Sequence, residues 1–184
     1  MSKRVLVPIS TGFEEIEAVT VIDVLKRAGA DVVVAGVDSD RVTGRSKITM
    51  IPDMSLDDAL ADGMYDLIVL PGGVPNAYTL RDDERIIKAV QQQADAGRRI
   101  AAICAAPVAL ERAGLLAGNR ATSHPAMEKE LKSAEYTEER VARSGNITTS
   151  RSAGTAMEFA FSLVKDLFGD AKVEAVNKGV MARL

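Results

Sequence analysis

Ile100-Ala101-Ala102-Ile103-Cys104-Ala105-Ala106-Pro107 decides how this chain folds. The first four residues are a short apolar run, the pattern of a strand buried on both faces. Cys104 closes the run. Pro107 stands where a helix can open, since proline in the first turn forgoes an N–H that has no helical partner. A strand turning directly into a helix is half of a βαβ unit, and the rest of the chain repeats the alternation. Upstream, Val5 to Ile9 reads as a strand, and Glu14 to Ala28 has helical periodicity that Gly29 stops. Val32 to Val37 is a second strand, rich in β-branched residues. Lys47 to Ile51 reads as an edge strand ended by Pro52. Ser55 with Asp58 opens a short helix. Leu67 to Leu70 is a buried strand ended by Pro71-Gly72-Gly73. Asp82 or Asp83 caps a helix that runs to Gly97. Downstream, a helix ends near Gly114, and Arg140 to Ser150 forms two short strands around Ser144-Gly145-Asn146. Two helices follow, Thr155 to Phe168 and Ala171 to Met181. The pattern predicts an α/β fold, one domain over residues 1–184, with helices on both faces of a mostly parallel sheet.

Composition narrows the function classes. The 184 residues are 47% hydrophobic and 27% charged, with a formal net charge of −3. That supports a core without disulfides and gives no basic surplus for nucleic acid. A single Cys excludes an internal disulfide framework and a Cys-rich zinc site, and it fits a reducing compartment. The apolar run after Met1-Ser2-Lys3-Arg4 is broken by Pro8 and is too short for a secretory signal. No stretch approaches a membrane span, so a soluble cytoplasmic protein is expected. Neither a dinucleotide fingerprint nor a phosphate-binding P-loop is present.

In open α/β sheets, sites form beyond the carboxyl ends of the parallel strands. That rule selects Thr11 to Glu17, Pro71 to Pro75, Cys104 to Pro107, and the region of His124. Cys104 sits at a strand-to-helix turn, where a nucleophile is presented and helix N–H groups favour a thiolate. The alternative is a buried structural cysteine. Glu17 shares a helix face with Val21, Val24, Leu25 and Ala28, so its carboxyl must be paired, hydrogen-bonded or protonated. Glu14 and Glu15 instead fit first-turn glutamates that favour the helix dipole. Gly72 and Gly73 form either an ordinary turn or a place where N–H groups approach a reacting oxygen. His124, held extended by Pro125, is either a partner for the thiol or a structural histidine. Arg151 reads as an anion or subunit contact, or as a solvated loop charge.

Together these stretches resemble the ThiJ/PfpI superfamily, in the branch of the Parkinsonism-associated protein deglycase and the bacterial YajL-type proteins. The marks are Gly12-Phe13-Glu14-Glu15-Ile16-Glu17-Ala18, Tyr65-Asp66-Leu67-Ile68-Val69-Leu70-Pro71-Gly72-Gly73, Ala101-Ala102-Ile103-Cys104-Ala105-Ala106-Pro107, Ser123-His124-Pro125 and Thr149-Ser150-Arg151. The resemblance implies a flavodoxin-like three-layer sandwich that forms homodimers. It implies that Cys104 is an oxidation-sensitive nucleophile and Glu17 a protonated partner of its sulfur. Gly73 and Ala105 would offer N–H groups to an oxyanion, with His124 nearby. Ala105 stands where the PfpI protease branch has histidine, which argues against a peptidase. Ser152-Ala153-Gly154 stands where the deglycase branch commonly has Gly-Pro-Gly.

The expected function is conversion of methylglyoxal-type 2-oxoaldehydes, or of their early adducts on protein or nucleotide, to hydroxy acids. No metal, nicotinamide or other cofactor is expected. The alternative is an oxidative-stress sensor or chaperone-like protein that acts through oxidation of Cys104. A Cys amidase is a third, weaker reading, because no base is evident for acyl transfer.

Overall fold

A computed structural model describes residues 2–182; Met1 and the last two positions of the single-domain reading lie outside the described residues. The chain begins with β1 (Arg4–Ile9), α1 (Glu15–Arg27) and β2 (Asp31–Gly36). A two-strand ribbon follows, β3 (Val42–Thr43) with β4 (Thr49–Met50). Next come β5 (Met54–Ser55), α2 (Leu56–Ala61), β6 (Leu67–Leu70), α3 (Asn76–Asp82) and α4 (Glu84–Asp95). After β7 (Arg99–Ile103) and α5 (Pro107–Arg112), a second ribbon pairs β8 (Arg120–Ala121) with β9 (Glu135–Tyr136). The chain closes with β10 (Val141–Ser144), β11 (Ile147–Ser150), α6 (Ala156–Phe168) and α7 (Asp170–Val180).

The central sheet has seven strands in the order β10-β11-β7-β6-β1-β2-β5. Only the β10–β11 hairpin is antiparallel, turning at Gly145 with φ 57°. From β1 the chain winds outward to β2 and β5, then returns to the other side for β6 and β7. The switch in direction falls between β1 and β6, where the loops at the carboxyl ends part and leave a crevice.

Both sheet faces are covered, which is why the inner strands β1, β2, β6 and β7 are apolar beyond their first residues. Leu6, Val33, Ile68, Leu70 and Ile100 pack with Leu56, Leu80, Ile87 and Leu110 from α2 to α5. Their neighbours Val5, Val7, Leu67, Val69 and Ile103 point the other way, against Val21, Leu25, Phe159 and Val164 from α1 and α6. The expected α/β sandwich with a mostly parallel sheet is therefore the observed one. Among the described residues no helix is long and apolar enough to cross a membrane.

Local chemistry accounts for most of the element ends. Ser55 Oγ accepts the Asp58 N–H at 3.1 Å and donates to the Asp58 carboxylate at 2.6 Å, closing the first turn of α2. Asp83, not Asp82, caps α4, with Oδ1 accepting the Arg85 N–H at 2.8 Å. Asp82 is instead the last residue of α3, a helix over a stretch for which no element is expected from the sequence. The expected strand at Lys47 to Ile51 is also corrected. Lys47 turns the chain with φ 72°, only Thr49–Met50 is extended, and it pairs with β3 outside the central sheet. The sheet edge belongs to β5.

Candidate active site

Cys104 follows β7 with φ 65°, a left-handed conformation that costs a non-glycine residue about 1–2 kcal/mol. Its two peptide groups are pinned. The Cys104 N–H donates to Ser150 O at 2.9 Å, and Cys104 O accepts the His124 N–H at 2.8 Å. The residue is held at an elbow between β7 and α5 and is nearly buried, at 8% exposure.

Glu17 lies behind it, fully buried on the inner face of α1. The N-terminus of α1 explains its position. Glu14 caps the helix, its Oε2 accepting the Glu17 N–H at 2.8 Å, so the Glu17 side chain points inward one turn later. Glu17 Oε2 accepts the Gly72 N–H at 2.9 Å. Oε1 is buried with no hydrogen-bond partner among the described residues, and the Cys104 thiol is close enough for each group to shift the other's protonation. Gly72 fits between the two: a Cβ there would lie 2.6 Å from Glu17 Oε2 and 2.7 Å from Cys104 Cβ. Glycine is required at this position because the carboxyl and the thiol occupy the space of a side chain.

Burial raises the Glu17 pKa to about 7; the Cys104 hydrogen bond and the Gly72 N–H pull against that, and the charge of Glu14 adds to it. Burial, followed by the charge of Glu17 and its hydrogen bond, pushes the Cys104 thiol up to about 12. The neighbouring Ser152 side chain and Ala105 N–H act the other way and favour the thiolate. The two acids act as one coupled unit. Above pH 7 the pair carries a single proton, and the minor form with that proton on Glu17 is a thiolate beside a carboxylic acid.

The raised carboxyl makes stability depend on pH. Between the ordinary value of 4.5 and about 7 the folded state holds a proton that the unfolded chain has lost. Stability therefore falls as pH rises through that window, by up to about 3 kcal/mol, and levels off above it. Glu17→Gln should flatten this part of the curve, measured as urea midpoints between pH 4.5 and 8.

The expected site residues converge unevenly. Gly73 has φ 88° and packs against the loop before α1, where a Cβ would lie 2.3 Å from Gly12 O. Among the described residues its N–H has no backbone or side-chain oxygen as acceptor. Ala105 is buried beside the thiol, and its N–H favours the thiolate. His124 joins the site through its backbone, and its Nδ1 accepts the Ala126 N–H at 3.2 Å. That bond fixes the tautomer with the proton on Nε2, so His124 is set up to donate. Arg151 donates to Glu138 O at 2.9 Å and ties down a loop. Glu15 is a first-turn residue of α1, as expected, and has a further contact. It is buried, and its Oε1 accepts the Ser46 N–H at 2.7 Å, anchoring the β3–β4 ribbon. Ser152 was not expected beside the thiol, and Gly72 was expected only as one of a pair. The Gly-Gly pair marked the right turn, but only the fold shows which N–H meets Glu17.

An elbow cysteine coupled to a buried carboxyl, at the crevice of a flavodoxin-like sheet, defines a class of cysteine-centred α/β proteins. Residues 3–166 match the DJ-1/PfpI family, and the chain belongs to it. It is 42% identical to protein DJ-1 homolog B of Arabidopsis thaliana, over 97% of this chain but 41% of that relative. It spans 46% of the plant's DJ-1 homolog A, so it is about half the length of these two relatives. It is 40% identical to the Parkinson disease protein 7 homolog of Danio rerio, covering 96% of this chain and 95% of that one. A Caenorhabditis elegans relative, described as glutathione-independent glyoxalase DJR-1.2, is 33% identical over 90% of this chain and 88% of its own. The crystal structure of Drosophila melanogaster DJ-1beta superposes with a TM-score of 0.96 at 37% identity, covering all of both chains.

Proposed function

We propose that this protein is a cofactor-independent glyoxalase or deglycase that converts methylglyoxal-type 2-oxoaldehydes, or their early adducts, to hydroxy acids. The observation that carries the reading is the Cys104–Glu17 pair, a nucleophile and a proton carrier titrating as one unit. The Caenorhabditis elegans relative with the glyoxalase description supports the same class.

The steps follow from the geometry. The Cys104 thiolate adds to the aldehyde carbon, forming a C–S bond, and the alkoxide takes the proton of Glu17. The Glu17 carboxylate then removes the hydrogen from the former aldehyde carbon, and the electron pair moves toward the adjacent carbonyl. The N–H groups of Gly73 and Ala105 stabilise the resulting enediolate, and His124 donates from Nε2. Return of the proton to the second carbon gives an α-hydroxy thioester. Water cleaves it to the hydroxy acid and the free thiol. Oxidation at one carbon is balanced by reduction at the next, so the step consumes no external oxidant. Proton NMR of a methylglyoxal incubation without glutathione should show lactate formed at an enzyme-dependent rate. No lactate above the buffer rate overturns the reading.

A second reading has its own observation: Ser152 and the Ala105 N–H lie on the side of the thiolate, and Glu17, its pKa raised to about 7, stands beside the sulfur. That arrangement suits a sulfinate, and hence a redox sensor. Intact-mass analysis after mild peroxide should show a gain of two oxygens confined to Cys104, and random or absent oxidation would remove this role.

The homodimer is proposed through the outer face of α1. Ile16 (57% exposed) and Val19 (46%) stand beside the β3–β4 ribbon, which carries Ile48 (57%). Val19→Asp should turn a dimer into a monomer in light scattering, and a mass unaffected by the substitution places any interface elsewhere.

A further inference from the structure

Among the buried polar side chains that the mechanism does not use, Asn76 is the one bonded to the Pro71-Gly72-Gly73 turn. Asn76, the first residue of α3, is fully buried, and its carboxamide makes four hydrogen bonds. Oδ1 accepts the Ser10 N–H at 2.8 Å and bonds the Ser10 hydroxyl at 2.9 Å. Nδ2 donates to Pro71 O at 2.8 Å and to Gly72 O at 3.0 Å. Two lone pairs and two N–H groups are all an amide possesses, so the group is fully satisfied and its orientation fixed. Its anchor, Ser10, lies at the carboxyl end of β1, on the far side of the crevice from the turn it holds.

What the amide holds matters more than how firmly. A trans peptide is planar, with its C=O and N–H pointing in opposite directions. Pro71 O and the Gly72 N–H belong to one plane, and Asn76 grips the oxygen while the N–H reaches Glu17 Oε2 at 2.9 Å. Gly72 O and the Gly73 N–H belong to the next. Asn76 grips that oxygen too, with the Glu14 N–H at 3.0 Å as a second donor. The Gly73 N–H is thereby turned away from the protein amide and held in one direction. Glycines tolerate many peptide orientations, so this turn needs an external clamp.

We propose that Asn76 is a positioning residue of the Cys104 site, whose single carboxamide sets the two successive peptide planes that present the Gly72 N–H to Glu17 and the Gly73 N–H to a reacting oxyanion. The second half rests on the glyoxalase reading; the first does not. Without the clamp, Glu17 loses a hydrogen bond to its charged form and keeps its proton to higher pH.

The test compares wild type, Asn76→Gly, Asn76→Asp and Ser10→Ala. Each is followed by the pH dependence of Cys104 alkylation with iodoacetamide, by kcat and KM for methylglyoxal, and by thermal unfolding. Asn76→Gly should move the first rise of the alkylation profile upward by about one pH unit and raise the plateau after it. It should lower kcat about tenfold or more with KM within about threefold, as for a weakened oxyanion donor. Ser10→Ala leaves both Nδ2 bonds in place and should keep the wild-type profile and kcat. An unchanged alkylation profile in a folded Asn76→Gly or Asn76→Asp protein overturns the proposal. So does a Ser10→Ala protein that shifts equally, or failure of both Asn76 variants to fold, since either assigns the residue to the scaffold alone. If wild type lacks methylglyoxal turnover, the glyoxalase reading fails while the alkylation arm still decides the clamp on Glu17.

Discussion

Cys104→Ser is expected to lower methylglyoxal turnover at least about a thousandfold while the protein stays folded. The substitution changes one atom at a position that is 8% exposed. The hydroxyl can occupy the left-handed elbow and keep the bonds from Ser150 and to His124, which belong to the backbone. The stability change should stay below about 1 kcal/mol. What is lost is the nucleophile. A serine hydroxyl is a far weaker acid than a thiol, and a carboxylate whose conjugate acid has a pKa of about 7 does not ionise it. Initial rates together with a thermal melt check both halves. Turnover within tenfold of wild type would remove the thiol from the mechanism.

Gly72→Ala should have nearly as large an effect through a different physical route. The added Cβ meets Glu17 Oε2 at 2.6 Å, Cys104 Cβ at 2.7 Å and Ile103 O at 2.9 Å. Cys104 Cβ and Ile103 O are fixed by the backbone, and Glu17 Oε2, the end of its side chain, is confined by burial. Overpacking of this kind costs about 1–3 kcal/mol. Relief requires pushing the carboxyl away from the thiol, so turnover should fall about a hundredfold even where the protein folds. Gly179→Ala is the matching control: nothing lies within 4 Å of its added Cβ, and alanine favours the α7 helix. It should leave turnover unchanged and stability equal or slightly raised. A Gly72→Ala protein with wild-type turnover would contradict the close approach of Glu17 and Cys104.

Much of the fold was legible because it rests on local rules. The βαβ alternation, the Ser55 cap and the Gly145 hairpin follow from apolar period, capping chemistry and turn residues. The ribbon at Thr49–Met50 was misplaced because a short apolar stretch looks the same inside or outside a sheet, and only long-range pairing separates them. The α3 helix was missed because Pro75 and the preceding glycines read as loop, and Asn76 offers no helical signal of its own. Within the site, Glu17 was legible as a carboxyl on an apolar helix face. The contribution of Gly72 was not, because which N–H of a Gly-Gly pair meets a carboxylate depends on peptide planes set by residues far away in sequence. Ser152 reaches the sulfur from beyond β11 for the same reason: sheet order, not spacing, makes them neighbours.

The most direct test of the central claim is the rate of Cys104 alkylation by iodoacetamide across pH, in wild type and in Glu17→Gln. A thiol sharing one proton with a carboxyl of pKa about 7, and itself pushed to about 12, should give two rises. The rate climbs to about pH 7, stays level while the proton is divided between Glu17 and Cys104, and climbs again as the last proton leaves. Glu17→Gln should show one continuous rise with no plateau. A single rise of the same shape in both proteins would contradict the coupling of Glu17 to the Cys104 thiol.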